Sequence, residues 1–251
     1  MNYSDFSFWW VLLLCSIPFF TIRYIGQSLN LWRGVFDAIG LAVMSLLLFS
    51  NASRSSFIIF AFEVIFNYLM VVLMLRRQGW QAKLIATLVI GVDIAILAYF
   101  KYFIFVVEDV IGLLINIPPN WQQSLPFSIQ DKIPPGVSFY TFQMVSFVVD
   151  SLMARKKKSI KFIDYINFVS FFPQIVAGPI ERRIDFFPQI EAFRFKFTPE
   201  NFELGLRWLS LGFFMKFVLA ENLAPYIDLS DANNAWTIWF QAFLFTLRIY
   251  F

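Results

Sequence analysis

Long apolar runs alternate with short polar or charged segments along most of the 251-residue chain. The runs cover residues 6–22, 34–50, 57–75, 84–107, 137–154 and 204–223, and a seventh begins near Trp236. A helix needs about 20 residues to cross a bilayer core, within a range of about 17–25. The first two runs are marginal by this measure, and the third and fourth meet it. The pattern predicts an all-α polytopic membrane protein with about six full spans and a truncated seventh.

The first run has the flanks of a retained helix rather than those of a secretory signal peptide. A signal peptide begins with a positively charged segment and ends at a cleavage site of small residues. No basic residue precedes the run, Arg23 follows it, and no such cleavage site is visible. We therefore interpret residues 6–22 as the first membrane span.

The composition is that of a membrane protein and differs from that of a globular domain. The chain is 59% hydrophobic and 15% charged, whereas globular domains have about 25% charged residues. Because the apolar excess lies in long runs, we expect the lipid bilayer as the partner, and the net charge of +3 does not indicate nucleic acid binding. The single cysteine, Cys15, excludes an internal disulfide, and we expect its thiol to be inert.

Basic residues occur in alternate connecting segments. These segments carry Arg23, Arg33, Arg76, Arg77, Lys83, Arg155, Lys156, Lys157, Lys158 and Lys161. The intervening segments carry only Arg54 and Lys132. Because basic loops remain in the cytoplasm, the alternation predicts a multi-pass protein with its N-terminus outside.

Residues 162–180 are apolar but have basic residues on both sides. The lysine cluster precedes this segment and two arginines follow it. A segment with both ends in the cytoplasm cannot span, and Pro173, Gly178 and Pro179 would interrupt its helical hydrogen bonds. Such a break is tolerated at membrane depth where protein surrounds it. We predict a re-entrant element on the cytoplasmic side, with a kinked ordinary span as the alternative.

Ionisable side chains also occur inside the apolar runs. They are Glu63, Asp93, Lys101, Asp150, Lys216 and Arg248. Charge at the bilayer centre is costly, so these groups should face the protein interior or water. Asp93 and Lys101 are eight residues apart, close to two helical turns, and are predicted to share a face. A structural polar network and a polar tunnel both fit, as do a transporter and a membrane enzyme.

Three stretches resemble motifs of the membrane-bound O-acyltransferase family, in the branch similar to the alginate O-acetyltransferase membrane subunit. PPGVSFYTFQMVSFVVD matches at Pro134, Gly136, Ser138, Phe139, Thr141, Phe142, Gln143 and Asp150. SFFPQIVAGPIERRIDFFPQ matches at Phe171, Phe172, Pro173, Gln174, Ala177, Gly178, Pro179, Ile180, Arg182, Pro188 and Gln189. MKFVLAENLAPYID matches at Lys216, Ala220, Glu221, Asn222, Leu223, Ala224 and Pro225. Each stretch alone could be a turn at a membrane boundary, but three in order over nearly the whole chain are specific.

The resemblance implies a ring of tilted helices around a thinned centre, with a tunnel that reaches a catalytic histidine. It implies acyl transfer in the bacterial inner membrane, from a cytoplasmic thioester such as acetyl-CoA to an exopolysaccharide hydroxyl outside. A periplasmic acetyl-transfer protein is the implied partner, and no bound cofactor or metal is expected. Histidine suits this chemistry because a hydroxyl needs a general base that titrates near neutral pH.

The motif residues are the candidates for the tunnel wall. They are Pro134, Gly136, Ser138, Thr141, Gln143, Asp150, Pro173, Gln174, Gly178, Pro179, Arg182, Lys216 and Asn222. Lys156, Lys157 and Lys158 could hold the phosphates of CoA. The positive-inside rule alone also accounts for these lysines, and this second interpretation is favoured.

The chain departs from the family pattern because it contains no histidine. In the branch the catalytic histidine follows an IYF sequence, and this chain stops at Ile249, Tyr250 and Phe251. We expect residues 1–251 to form one membrane domain, the N-terminal part of an enzyme whose C-terminal catalytic part is missing, and to be inactive alone. A transporter or flippase and a catalytically dead remnant remain alternatives. Inverted repeats would favour a transporter, and none is visible.

The charge alternation predicts that residues 51–56 lie outside and residues 155–161 inside. Single cysteines placed in these segments on a Cys15→Ser background should therefore differ in accessibility. An impermeant thiol reagent added from the periplasm should label the first segment only. Labelling of a cysteine at position 157 would contradict the predicted orientation.

Overall fold

The computed structural model describes residues 6–28, 33–52, 54–113, 115, 136–154, 159–175, 178–195, 197–227 and 234–251. Every regular element within these residues is helical, which confirms the predicted all-α class. The described contacts divide the chain into two compact units, Met1–Arg194 and Phe195–Phe251. The single membrane domain stays a prediction, and each unit is described by itself.

Five helices form most of the first unit. They are α1 (Phe6–Ser28), α2 (Arg33–Ala52), α3 (Arg54–Leu75), α4 (Gly79–Phe105, extended by a π-helical turn at Val106–Ile111) and α5 (Val137–Met153). Within the described residues, three stretches are long and apolar enough to cross a membrane: Ser7–Ile25, Phe57–Leu75 and Gly79–Ile111. Val35–Asn51 and Val137–Met153 are shorter apolar helices. The total of six full spans therefore stays a prediction.

Two short helices complete the first unit, and the second unit is also helical. The short helices are α6 (Phe162–Ser170) and α7 (Arg183–Glu191). The second unit contains α8 (Pro199–Phe213), a π-helical stretch (Phe214–Ala220), α9 (Glu221–Leu223), a 3₁₀ turn (Ala224–Tyr226) and α10 (Ala235–Tyr250). Asn234 caps α10 by accepting a hydrogen bond from the backbone N–H of Thr237 at 2.8 Å.

Consecutive helices of the first unit pack in opposite directions. Arg23 near the end of α1 pairs with the buried Asp37 near the start of α2, at 2.8 Å between Nε and Oδ1. The rings of Phe49 in α2 and Phe60 in α3 are 4.7 Å apart. Farther along α3, Tyr68 donates a hydrogen bond to the carbonyl oxygen of Ile160, which follows α5. These contacts bring the ends of α1, α3 and α5 to one end of the unit.

The basic residues that the charge alternation assigned to one side of the membrane lie at this end of the first unit. Arg23 lies near the end of α1, Arg76 follows α3, and Lys161 follows Ile160. The directions of the helices are therefore those that the charge alternation requires. Which end faces the cytoplasm stays a prediction.

Aromatic side chains hold α5, α6 and α7 together. The ring of Phe147, which is fully buried, lies 5.0 Å from the rings of both Tyr165 and Phe168. Phe187 of α7 packs against the same ring at 5.3 Å. Helices in lipid gain no hydrophobic free energy by associating, so close packing of this kind has to stabilise the arrangement.

Residues 159–183 leave one end of α5 and return to it. Ile160 lies near that end, whereas Ile175 lies against Gly136 at the opposite end of α5. Arg183 is again beside Asp150, close to the end of α5. The intervening helix α6 has nine residues, or about 14 Å, and the bilayer core is about 30 Å thick. This course supports the re-entrant interpretation over a kinked span, although its position in a membrane stays a prediction.

The return of the chain predicts that positions before and after this segment lie on the same side of the membrane. Topology reporters fused after Ser159 and after Phe193 should both report the cytoplasm, because the segment between them does not cross. A fusion after Asn51 serves as the control and should report the opposite side. Opposite readings at Ser159 and Phe193 would make the segment an ordinary span.

Candidate functional site

The second motif, which follows α6, is bound along one side of α5. Gly136 just before α5 and Gln143 and Asp150 within it make the contacts. Gly136, Gln143 and Asp150 are spaced by seven residues, which is close to two helical turns, so they follow one face of the helix. We call these three residues the docking stripe. Residues 171–183, which connect α6 to α7, are called the motif segment. The two motifs, separate in sequence, therefore meet in the structure.

The first contact depends on the absence of a side chain at Gly136. This residue has φ of +75°, in the left-handed region that favours glycine. A Cβ atom built at this position would lie 2.2 Å from the carbonyl oxygen of Ile175. Glycine therefore serves two purposes here, because it allows the backbone conformation that starts α5 and the close approach of the motif segment.

The other two contacts are hydrogen bonds from side chains of α5 to the backbone of the motif segment. Gln143 Oε1 accepts from the N–H of Glu181 at 3.0 Å. Asp150 Oδ2 accepts from the N–H of Arg183 at 2.9 Å. Arg182 between them has φ of −80° and ψ of 142° and is the N-cap of α7, so the N–H groups of Glu181 and Arg183 have no acceptor within that helix. The docking stripe thus supplies acceptors that the segment cannot supply for itself.

Arg183 closes the end of this site. Its guanidinium lies 5.2 Å from the ring centre of Phe147 and 5.7 Å from that of Phe187, a cation–π arrangement. Burial lowers the pKa of Arg183, and the charges of Asp150 and Glu191 act in the opposite direction. The guanidinium remains charged, because arginine does not deprotonate in proteins. It therefore places a fixed positive charge between two aromatic rings and Asp150.

A small cavity lies between α5, the end of α6 and the motif segment. Its volume is about 10 Å³, roughly the space that one water molecule needs. The lining residues are Phe139, Tyr140, Gln143, Phe168, Val169, Gln174, Ile175, Gly178, Pro179 and Ile180. Gln143 Nε2 and Gln174 Oε1 are buried and have no hydrogen-bond partner among the described residues. A donor and an acceptor thus border a space of the size of one water.

Several of the predicted tunnel residues meet at this cavity. Gln143, Gln174, Gly178 and Pro179 line it. At Gly178 an added Cβ would lie 2.5 Å from Cα of Gln174, so the turn before Pro179 is also closely packed. No tunnel is visible at this place in the described residues, since the cavity is no larger than a water molecule.

Other predicted residues lie near the cavity without lining it. Ser138 is half-buried and Thr141 is buried on α5. Pro173 and Arg182 are exposed parts of the motif segment. The basic residue that packs into this site is therefore Arg183, the neighbour of the predicted Arg182.

The remaining predicted residues are not joined to this site by any described contact. Lys216 is half-buried in the π-helical stretch of the second unit. Asn222 of the same unit donates from Nδ2 to the carbonyl oxygen of Val218 at 2.7 Å. Pro134 and the three candidate phosphate ligands, Lys156, Lys157 and Lys158, lie outside the described residues.

A second polar cluster lies within the spanning helices. Glu63 of α3 and Asp93 of α4 are 1% and 0% exposed, so both face the protein interior as predicted. Asn67 Nδ2 donates to Asp93 Oδ1 at 2.7 Å. Tyr140 of α5 interacts electrostatically with both carboxyl groups, although no hydrogen bond of ordinary geometry reaches its hydroxyl. Since Tyr140 also lines the cavity, the two polar regions are neighbours.

The predicted common face of Asp93 and Lys101 is wrong. Asp93 is fully buried, whereas Lys101 is exposed. Eight residues rotate a helix by about 800°, or about 80° past two whole turns. That difference separates a position which faces α3 from one which faces away from the core.

Sequence analysis also missed three residues that the structure makes prominent. They are Arg183, Tyr140 and Asn67, and none of them is among the residues predicted from sequence. Asn67 follows Glu63 by four residues, a spacing that places both on one face of α3. This spacing of two polar residues in an apolar run was a signal for the polar cluster.

Comparison with known proteins gives a match along nearly the whole chain. The model of the membrane-bound O-acyltransferase family, MBOAT, matches residues 1–250. No solved structure matches the chain significantly. The two motifs that meet at the docking stripe both lie within the matched residues.

Individual relatives are similar over most of this chain. A probable alginate O-acetylase of Azotobacter vinelandii is 30% identical over 203 residues, covering 77% of this chain and 38% of the relative. A peptidoglycan O-acetyltransferase of Helicobacter pylori is 25% identical, covering 75% of this chain and 40% of the relative. A teichoic acid D-alanyltransferase of Lacticaseibacillus rhamnosus is 28% identical, covering 63% of this chain and 42% of the relative. The chain thus spans about two fifths of the length of these relatives.

The docking contact predicts that Gly136→Ala destabilises the protein. The substitution places a side chain where φ is +75° and a carbonyl oxygen is 2.2 Å away. A left-handed conformation alone costs a residue other than glycine about 1–2 kcal/mol. Thermal unfolding in detergent should therefore start at a lower temperature than in the unsubstituted protein.

Gly91→Ala is the matched control. Gly91 lies inside α4, and no atom lies within 4 Å of an added Cβ. Alanine in a helix interior is favoured over glycine by about 0.5–1 kcal/mol, so this variant should be as stable as the original or slightly more stable. Equal unfolding temperatures for the two alanine variants would show that Gly136 is not a point of close docking.

Proposed function

Because this chain belongs to the membrane-bound O-acyltransferase family, we propose that it forms part of a membrane-embedded O-acyltransferase. The observation that carries the proposal is the meeting of two family-like motifs. Gln143 and Asp150 of the first motif hold the backbone of the second, and both motifs border a small cavity. A non-helical segment fixed in this way is suited to hold a substrate, because rigid placement lowers the entropic cost of reaction.

The transferred group is an acetyl group in this proposal. Two of the relatives described above are named as O-acetylating enzymes, and the third is named for D-alanyl transfer. Their names share an acceptor class, which is a polymer of the cell envelope or exterior. A hydroxyl of an exopolysaccharide, as in alginate acetylation, is the acceptor that we propose here. The donor is a cytoplasmic acyl thioester such as acetyl-CoA.

The reaction transfers the acyl group between two sides of the membrane. The acceptor oxygen forms a new ester bond with the acyl carbon, and the bond from that carbon to the thioester sulfur breaks. The proton of the hydroxyl ends on the released thiol, so the reaction requires no oxidant or other reagent. A general base usually accelerates such a step about 10²–10⁴-fold.

The residues of this chain would position the reaction rather than supply the base. The chain has no histidine, the residue that most often acts as a base near neutral pH. Gln143 and Gln174 offer an amide donor and an amide acceptor at the cavity. In this proposal the base belongs to the remainder of the enzyme, and a periplasmic protein helps to deliver the acceptor.

A transporter or flippase is the competing function. A returning segment and buried carboxyl groups occur in transporters as well. The relatives described above are named as transferases or acetylases, which favours the acyltransferase. We therefore retain one proposed function.

Acetylation of an exopolysaccharide in cells tests the proposal. A strain that lacks its own O-acetyltransferase should gain no polymer acetylation from residues 1–251 alone. The coding sequence extended by any in-frame downstream codons that include histidines should restore acetylation when the periplasmic partner is supplied. Bound acetate released by mild alkali measures the outcome.

Two variants of the extended protein connect the activity to the docking site. Gly136→Ala should lower the bound acetate at least tenfold, because displacement of a positioning segment by about 1 Å can cost about 100-fold in rate. Gly91→Ala should leave it unchanged at equal protein levels. Acetylation by residues 1–251 alone would instead place the base within this chain.

A further inference from the structure

Two buried carboxyl groups, those of Glu63 and Asp93, interact electrostatically within the spanning helices. Glu63 belongs to the candidate span Phe57–Leu75 and Asp93 to Gly79–Ile111. Glu63 is 1% exposed and Asp93 is 0% exposed. The charge of Asp93 acts on Glu63, so the two groups lie within electrostatic range of each other. Neither group takes part in the motif contacts described above.

The hydrogen bonds around these carboxyl groups are incomplete. Asn67 uses Nδ2 to donate to Asp93 Oδ1 at 2.7 Å and to the backbone oxygen of Glu63 at 3.1 Å. These two bonds fix the orientation of the amide, because its nitrogen must face Asp93. Three carboxyl oxygens have no hydrogen bond of ordinary geometry within the described part of the chain: Glu63 Oε1, Glu63 Oε2 and Asp93 Oδ2. Asn67 Oδ1 also has none, so acceptors outnumber donors at this place.

No positive side chain compensates the two carboxyl groups among the described residues. The charged or titratable groups that face them are Tyr140 of α5 and Tyr165 of α6. Both hydroxyls are buried, and neither forms a hydrogen bond of ordinary geometry. Two adjacent carboxylates would therefore repel each other in a region without water, and each would keep oxygens without a donor.

We propose that Glu63 and Asp93 form a proton-binding site, in which the two carboxyl groups together hold one proton. A proton on one group removes one negative charge and abolishes the repulsion. It also gives the pair an O–H donor, at a place where acceptors outnumber donors. Tyr140 and Tyr165, which both interact electrostatically with the pair, each carry a further hydroxyl donor.

Tyr140 connects this proton site to the cavity beside the motif segment. The same side chain interacts with Glu63 and Asp93 and lines the cavity that contains Gln143. A hydroxyl can accept one proton while it donates another. The structure thus places a group that can relay protons between the carboxyl pair and the cavity. The proton site rests on burial and contacts alone, and it holds whether or not the proposed acyltransferase function is correct.

Infrared spectroscopy of the purified chain in lipid nanodiscs tests the proton site. At neutral pH the spectrum should contain the carbonyl band of one protonated carboxylic acid, which shifts when H₂O is replaced by D₂O. The double variant Glu63→Gln, Asp93→Asn should lack this band. Asp185→Asn removes an exposed carboxyl group by the same chemical change and should leave the band unaltered.

Selective labelling keeps the test independent of whether the double variant folds. Incorporation of ¹³C into the side-chain carboxyls of aspartate or glutamate in the unsubstituted chain should shift the band to lower frequency with one of the labels. Absence of a protonated-acid band at neutral pH would overturn the proposal, as would its persistence in the double variant. Loss of the band when sodium replaces choline in the buffer would also overturn it, because a sodium ion would then occupy the place of the proton.

Discussion

The structure of the first unit depends on one constraint, which is that a backbone outside a helix needs hydrogen-bond partners where water is excluded. The helix α6 stops at Ser170, residues 172–175 form turns, and Arg182 before α7 is extended. Gln143 and Asp150 of α5 accept the backbone N–H groups that this path leaves free. Gly136 leaves room for a carbonyl oxygen at the far end of the same helix face. Three points of contact along two helical repeats thus determine the course of a segment that has no regular structure.

Aromatic packing then secures the ends of this segment. Phe147 contacts both helices that flank it, through Phe168 of α6 and Phe187 of α7. Arg183 lies over two of these rings, so its charge is kept near Asp150 without a direct side-chain salt bridge among the described contacts. Contacts with lipid are as favourable for apolar side chains as contacts with other apolar side chains. Close packing against rigid rings is therefore one of the few sources of stability that remain. The 34 phenylalanines of the chain are consistent with this need.

Polar groups at depth are concentrated in two neighbouring places of the first unit. The cavity contains an unpaired donor and an unpaired acceptor from Gln143 and Gln174. The carboxyl pair of Glu63 and Asp93 lies beside it, and Tyr140 borders both. Burial of such groups is unfavourable unless they bind something. A cavity of the size of one water molecule and a buried carboxyl pair thus lie on either side of one tyrosine.

The sequence alone determined the helices, the interruption after α6 and the motif residues of the docking stripe. Apolar length and basic alternation are local properties of the chain, and Pro173 and Pro179 lack the backbone N–H that a helix interior uses. Only the tertiary structure decided which groups meet. It selected Arg183 rather than Arg182 for the aromatic site and buried Asp93 while leaving Lys101 exposed. Spacing along a helix gives the direction of a side chain around the helix axis to within some tens of degrees. Burial of that side chain depends on the neighbouring helices. The positions of those helices are set by contacts between residues far apart in the chain.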